Sequence, residues 1–207
     1  MTLTRRIAKL LGHGLARIEV TGLERIPRTG GVLLAANHRA YVDGPLLYGV
    51  LPRPTVFFVK DEVFRGVVGR VLRRIGQIPV RRGTVERAPL VAALGTLAAG
   101  GIVGVFPEGS RGTGDIDDVR RGIAYLAVRS GCPVLPVACH GTPAIGRRTV
   151  LRRRPRVTVT IGPPIPLAPT DRASRRTVAA AAEGVRLALA AHVAATRPTT
   201  APEDFQP

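Results

Sequence analysis

Short apolar segments with strand character alternate along this chain with longer stretches of helical periodicity, and that alternation limits the folds the chain can adopt. It is typical of an α/β domain, in which helices cover a sheet and connect its strands. Strands are predicted at 17–22, 31–37, 55–59, 76–80, 102–106, 133–139 and 156–162. Helices are predicted at 43–51, 62–75, 86–99, 119–130 and 172–195. The expected fold is a mixed, mostly parallel sheet of about seven strands, flanked by helices.

The length and composition suit one domain, since 207 residues with 45% hydrophobic and 22% charged residues can form one sizeable core. We predict a single domain over residues 1–196 that begins with a basic amphipathic helix at about 4–16. Its apolar face consists of Ile7, Leu10, Leu11 and Leu15. The tail at 197–207 contains three prolines and is predicted to be weakly ordered.

Basic side chains far outnumber acidic ones, and the formal net charge is +17. An anionic partner is expected: nucleic acid, an acidic membrane surface or a phosphorylated small molecule. All of the basic residues except Lys9 and Lys60 are arginine, which binds phosphate in a bidentate manner. A genome-wide base bias would also produce many arginines, so charge alone does not choose among these partners.

Residues 88–107 carry no charge over roughly the length of a membrane span. Because Pro89 and the pair Gly100-Gly101 interrupt this stretch, it favours a buried helix followed by a core strand. Near the N-terminus, Lys9, Gly12 and His13 break the apolar run before it reaches the length of a signal peptide. A cytosolic protein is therefore predicted.

Cys132 and Cys139 are expected to be reduced core residues. Together with His140 they would lack a fourth ligand and the usual spacing for zinc, so no metal site is predicted.

The segment from Phe64 to Ile75 places its apolar residues at helical spacing and four arginines on the remaining positions. One interpretation is a core-facing helix with a solvated basic face. The other is a helix that also meets anionic lipid.

The sequence NHRAYVDG contains a histidine and an aspartate five positions apart, directly after the apolar run GVLLAA. His38 is expected where a strand opens into a loop, and Asp43 where the next helix begins, in a favourable N-cap position. An aspartate that holds one ring nitrogen would leave the other as a general base. The alternative is a capping aspartate and an unrelated surface histidine.

A second candidate loop, FPEGSRG at 106–112, follows the apolar segment IVGV. It combines the carboxylate of Glu108, the glycines Gly109 and Gly112, and Arg111, which can bind phosphate. A turn of this kind at the end of a core strand indicates a binding loop.

These motifs resemble those of the glycerophospholipid acyltransferase family, of the lysophosphatidic acid acyltransferase type. NHRAYVD is similar to its signature of His, four residues and Asp, and FPEGSRG is similar to its third motif. The stretch 59–83 resembles the second block, with Lys60, Phe64, Gly69, Gly76 and Arg82 on matching positions, and Arg81 beside them departs from the usual residue. GCPVLPVACHG resembles the fourth block. The resemblance spans residues 20–165 and implies the glycerolipid acyltransferase fold.

The resemblance implies acyl transfer from acyl-CoA or acyl carrier protein to a lysophospholipid, most simply 1-acylglycerol-3-phosphate, with no cofactor. His38, oriented by Asp43, would deprotonate the acceptor hydroxyl. The side chains of Lys60, Arg82 and Arg111, with Arg81 as the alternative to Arg82, would hold its phosphate. Glu108 and Gly109 would order the binding loop or the glycerol hydroxyls. The two basic helices would keep the enzyme peripheral, on an anionic inner membrane surface.

Three alternatives stay open. A hydrolase would use Ser110 as its nucleophile, but Glu108 stands where a G-x-S-x-G motif has glycine. A nucleic-acid-binding module would explain the charge but not FPEGSRG, and three Tyr and five Phe offer few stacking rings. An acyltransferase acting on another acceptor, such as a lyso-ornithine lipid or a glycolipid, would share these motifs.

Overall fold

The structure, a computed structural model, describes residues 16–81, 87–107, 116–142, 155–167 and 174–198. Its strands are β1 (Arg17–Thr21), β2 (Val32–Ala36), β3 (Thr55–Lys60), β4 (Ile78–Val80), β5 (Ile102–Val105), β6 (Val134–His140) and β7 (Arg156–Ile161). Its α-helices are α1 (Asp43–Val50), α2 (Gly66–Arg74), α3 (Arg87–Ala98), α4 (Ile116–Ser130) and α5 (Arg175–Ala195). The predicted N-terminal helix and the tail from residue 199 lie outside the described residues, so the predicted domain bounds stay predictions.

The strands form one sheet in the order β1-β7-β6-β2-β5-β3-β4. Every neighbouring pair is parallel except β6 and β7, which are antiparallel. The five strands from β6 to β4 therefore end at one edge of the sheet, which we call the carboxyl edge. The predicted mixed, mostly parallel sheet of seven strands is confirmed.

Both faces of the central strands are covered, so β2 is buried at all five positions. On the first face Leu34 and Ala36 pack with Leu47 of α1 and with Leu51 directly after it. On the second face, alternate residues of the same strands pack against α3, α4 and α5. Burial from both sides explains why β2 reads as a continuous apolar run.

The uncharged stretch at 88–107 forms α3 and β5, as predicted, with Gly100 between them at a φ of 77°. By length and apolar composition α5 is long enough to cross a membrane. It packs on the second face through Ala181, Val185 and Leu189, as an amphipathic helix of a globular domain does.

Helix α2 departs from the core-facing interpretation of its apolar residues. It is shorter than predicted, because a 3₁₀ turn occupies Asp61–Val63. Gly69 is the one buried residue of the helix, and a Cβ there would lie 2.2 Å from the carbonyl carbon of Phe64. Helix α2 thus packs on the buried Phe64, just before it, through its smallest residue, and Val67, Val68 and Val71 point to solvent. The periodicity correctly predicted that these apolar residues share one side of a helix. It did not predict whether that side is buried.

Candidate active site

At the carboxyl edge, Asn37 follows β2 directly and is buried. Its Nδ2 donates to the carbonyl oxygen of Cys139 at 3.0 Å, and its Oδ1 accepts from the Cys139 amide at 2.7 Å. This two-way bond joins the end of β2 to β6 directly before His38. The backbone directly before the histidine is therefore fixed to β6.

Asp43 is fully buried at the start of α1. Its Oδ2 accepts hydrogen bonds from the amides of Arg39 and Ala40, each at 2.8 Å, and lies 3.1 Å from Nδ1 of His38. The loop 38–43 therefore closes around one carboxylate oxygen. Among the described residues the other oxygen, Oδ1, has no hydrogen-bond partner. A buried oxygen left unsatisfied costs stability, and such costs concentrate where function requires the group.

The predicted N-cap role of Asp43 is wrong. Asp43 is the first residue inside α1, and its carboxylate turns back to the preceding loop. The N-cap position belongs to Val42, which makes no side-chain cap bond. The carboxylate therefore serves the loop and His38, and the interpretation of two unrelated residues fails on this geometry.

The ring of His38 stacks on Phe106, with centroids 4.4 Å apart and planes 28° apart. Phe106 in turn stacks on Phe57, at 5.5 Å and 14°. Gly104 makes room for this arrangement, since a Cβ there would lie 2.2 Å from Cε1 of Phe57. With 29% of its side chain exposed, His38 is thus held by a carboxylate at Nδ1 and by an aromatic ring against its plane, and still reaches solvent.

Two groups near this loop are kept neutral by their surroundings. Burial raises the pKa of the Cys139 thiol, and the charge of Asp43 raises it further, so this cysteine stays protonated and serves the core as predicted. Burial also lowers the pKa of His140, with further contributions from the positive charges of Arg39, Arg197 and His192. Nε2 of His140 is hydrogen-bonded with Thr196 Oγ1 at 3.2 Å.

The candidate phosphate-binding residues within the described ranges lie on the strands beyond β5. Lys60 ends β3, paired with Val80 of β4, and Arg81 follows β4 directly. Arg81 Nε lies 3.6 Å from Oδ2 of Asp61, and both side chains are largely exposed. Adjacent strands lie about 4.8 Å apart, so the ends of β2 and β3 are separated by roughly 10 Å across β5. His38 and Lys60 therefore belong to the same edge without direct contact.

The remaining predicted residues, Arg82, Glu108, Gly109 and Arg111, lie outside the described residues, as does Ser110. Their roles stay predictions. Two residues that the sequence analysis did not place in the site are Asn37 and Phe106. Both were visible in the motifs, as the residue before the histidine and the first residue of FPEGSRG. Their contacts are with strands distant in sequence, which no local pattern indicates.

The chain is similar to known proteins over most of its length. The family model described as Acyltransferase matches residues 17–140. A 1-acyl-sn-glycerol-3-phosphate acyltransferase of Bacillus subtilis (strain 168) is 29% identical over 150 residues, which cover 72% of this chain and 73% of that protein. A protein of the same name from Borreliella burgdorferi is 32% identical over 130 residues, 61% of this chain and 52% of that one.

Among solved structures, the crystal structure of the 1-acyl-sn-glycerophosphate (LPA) acyltransferase PlsC from Thermotoga maritima superimposes with a TM-score of 0.69. The alignment covers 96% of this chain and 80% of that one, at 23% sequence identity. At that identity the likeness bears on the fold alone.

Proposed function

Since the chain belongs to the acyltransferase family, whose model matches residues 17–140, we propose that it acylates the free hydroxyl of a lysophospholipid, most simply converting 1-acylglycerol-3-phosphate to phosphatidic acid. Acyl transfer is the activity of the family. The acceptor is proposed from the names of the relatives in Bacillus subtilis and Borreliella burgdorferi and from the basic side chains near the site.

One observation carries the proposed chemistry: His38 Nδ1 lies 3.1 Å from a buried carboxylate that two backbone amides already hold. When Oδ2 of Asp43 accepts a hydrogen bond from Nδ1–H of His38, the ring is in the tautomer whose Nε2 carries the lone pair that a general base needs. The carboxylate also stabilises the imidazolium that forms when the base takes up a proton.

The acyl group passes directly from the thioester to the acceptor, without an acyl-enzyme. Nε2 of His38 removes the proton of the acceptor hydroxyl as its oxygen attacks the thioester carbonyl. The tetrahedral intermediate then collapses, the carbon–sulfur bond breaks, and the thiolate leaving group takes the proton from His38. Neither a serine nor a cysteine is required, which suits the protonated Cys139 thiol beside Asp43.

The acceptor phosphate would be held by Lys60, Arg82 and Arg111, through charge-assisted bonds. Arg81 is the weaker choice, because Asp61 lies 3.6 Å from its guanidinium and offsets part of its charge. Glu108 and Gly109 would order the binding loop or the glycerol hydroxyls. The donor is acyl-CoA or acyl carrier protein, and no metal or further cofactor takes part.

The proposed location is the inner face of the cell membrane, with the enzyme bound peripherally from the cytoplasm. The lipid nature of the acceptor and product supports it, as does the +17 net charge, which favours an anionic surface.

The direct test incubates the purified chain with labelled acyl-CoA and a panel of lysolipids, including lysophosphatidate, a lyso-ornithine lipid and a glycolipid. Phosphatidic acid is the expected main product. Preference for another panel member would reassign the acceptor and keep the reaction. Absence of acyl transfer to any of them, with either donor, would refute the proposal.

The role of Asp43 is tested by Asp43→Asn, which keeps an oxygen for the two loop amides and removes the charge. We expect kcat to fall by roughly a hundredfold or more, with little change in the unfolding midpoint. Activity close to that of the parent protein would exclude Asp43 as the group that orients His38.

The phosphate assignment is tested by Arg82→Ala and Arg111→Ala. Bonds to a phosphate are present in ground and transition states alike, so the KM for the acceptor should rise more than kcat falls. Arg81→Ala serves as the matched control and should raise that KM less. A change in the KM of the acyl donor alone would assign these arginines to the donor instead.

A further inference from the structure

The surface that the proposed chemistry leaves unexplained is the outer side of α2 and of the turn before it. Seven large apolar side chains are exposed in the described residues, and four of them fall within nine consecutive positions. These four, Val63, Val67, Val68 and Val71, form what we call the valine stripe. Their exposures run from 41% to 66%, which is high for valine.

The exposure of the valine stripe follows from the way α2 is packed. Gly69 fixes α2 against the backbone of Phe64, at a distance that no larger residue could adopt. Arg73 donates to the Phe64 carbonyl oxygen at 3.1 Å on the same side. Phe64 is itself buried, so these contacts determine which side of the helix faces out, and the valines occupy that outer side.

Four arginines accompany the stripe, and we call Arg65, Arg70, Arg73 and Arg74 the arginine row. All four are exposed. Within the described residues none of them lies within ion-pair distance of a carboxylate. An exposed apolar stripe beside exposed arginines is the pattern of a helix that lies in the headgroup region of an anionic bilayer.

The position of α2 relative to the candidate active site links this surface to the proposed chemistry. The helix begins six positions after Lys60 of the carboxyl edge, beyond the 3₁₀ turn Asp61–Val63. Ile75, directly after α2, packs on the first-face cluster, and so does Phe106, whose ring stacks on His38. The stripe and His38 therefore share one face of the sheet.

We propose that the valine stripe and the arginine row dock the protein on an anionic lipid bilayer. The docked helix holds the carboxyl edge of the sheet close to the lipid surface, so that a membrane-resident acceptor reaches His38 without crossing water. The consequence for catalysis rests on the proposed acyl transfer, but the docking itself does not.

Flotation with vesicles of phosphatidylglycerol and phosphatidylcholine tests the docking with a closely matched pair of variants. Val67 in α2 and Val91 in α3 are 66% and 65% exposed, and α3 packs on the opposite face of the sheet. Val67→Asp should weaken binding about tenfold or more, since it removes an inserted apolar group and adds a charge of the wrong sign. Val91→Asp makes the same chemical change and should bind like the parent protein.

The arginine row is tested in the same assay. Arg70→Gln and Arg74→Gln should each weaken binding about fivefold, the loss expected for one basic group near an anionic surface. Arg129→Gln, an exposed position at the end of α4, should have little effect. Binding should also fall at high salt, where the screening length is only about 3 Å at 1 M.

Activity assays separate failure of the docking from failure of the proposed reaction. With a short-chain, monomeric lysophosphatidate, Val67→Asp should turn over like the parent protein. With the same headgroup presented in anionic vesicles, its rate should fall about tenfold. Inactivity of the parent protein on both substrates would refute the reaction and leave the flotation result to be judged by itself.

Three results would overturn the docking proposal. The parent protein could fail to float with anionic vesicles, or the two valine variants could bind equally well or equally poorly. Sedimentation could instead show that the parent is a dimer and Val67→Asp a monomer. In that case the valine stripe would be an interface between two copies of the chain.

Discussion

The two edges of the sheet use charged side chains in opposite ways. At the amino edge, where the strands β2, β3 and β5 begin, Arg53 donates to the carbonyl oxygens of Pro27 and Gly30, each at 2.8 Å, and also to that of Gly100. Its guanidinium thus links backbone acceptors from two separate loops. At the carboxyl edge, Asp43 is buried with one oxygen unsatisfied, and its bonds serve to hold a histidine that still reaches solvent. The hydrogen bonds of Arg53 stabilise the fold. The buried Asp43 costs stability, because one of its oxygens is unsatisfied, but it keeps His38 in place.

The largest expected effect is at the carboxyl edge. His38→Ala should lower kcat by about a thousandfold, within the range attributed to a general base, and leave the unfolding midpoint nearly unchanged. Steady-state acyl transfer with the preferred lysolipid measures the first quantity, and urea unfolding measures the second.

Ser110→Ala is the control for that experiment and should stay within a few fold of the parent activity. If Ser110→Ala lost as much as His38→Ala, a serine nucleophile would have to be considered again. More than a few per cent of activity left in His38→Ala would remove His38 from its proposed role.

The converse effect is expected at the amino edge. Arg53→Ala leaves three backbone carbonyls without their donor and should lower the free energy of unfolding by about 2 kcal/mol. The KM and kcat of the folded fraction should hardly change, because the site lies at the opposite edge. Urea unfolding of Arg53→Ala beside Arg176→Ala, an exposed arginine of α5, isolates the effect of the three bonds. A loss of activity without a loss of stability would contradict the division between the two edges.

A smaller effect is expected for the ring beneath the histidine. Phe106→Leu keeps an apolar side chain but removes the plane against which His38 stacks, so kcat should fall about tenfold while the acceptor KM stays constant. Phe106→Tyr should restore most of the rate, since it keeps the ring. If Phe106→Leu raised KM and left kcat unchanged, the ring would serve acceptor binding and not the orientation of His38.

The same comparison shows what the sequence could and could not predict. Strands such as β2 were predicted because burial on both faces leaves a local apolar run, and α3 with β5 was predicted because glycines end the helix. The partnership of His38 with Asp43 could be predicted, since the two lie only five positions apart. The bonds of Asn37 and Arg53 were not, because their partners stand up to 102 positions away and leave no local pattern. Helix α2 lies between these cases, because its apolar stripe was predicted while the choice between a core-facing and a lipid-facing helix was left open, and the structure leaves the stripe exposed.

The smallest effect concerns a second histidine of the carboxyl edge, which sharpens the contrast with His38. His140 ends β6 and is buried; burial first, and then the charges of Arg39, Arg197 and His192, lower its pKa below the ordinary value of 6.5. As the pH falls through 6.5 the unfolded chain takes up a proton at this residue, whereas the folded chain takes it up only at a lower pH, so the free energy of unfolding should decrease. The slope from this one group is at most about 1.4 kcal/mol for each pH unit. Urea unfolding of His140→Gln and the parent protein between pH 7 and pH 5 measures it. The variant should lose less stability than the parent over this interval, and equal losses would show that His140 takes up its proton in the folded state as readily as in the unfolded chain.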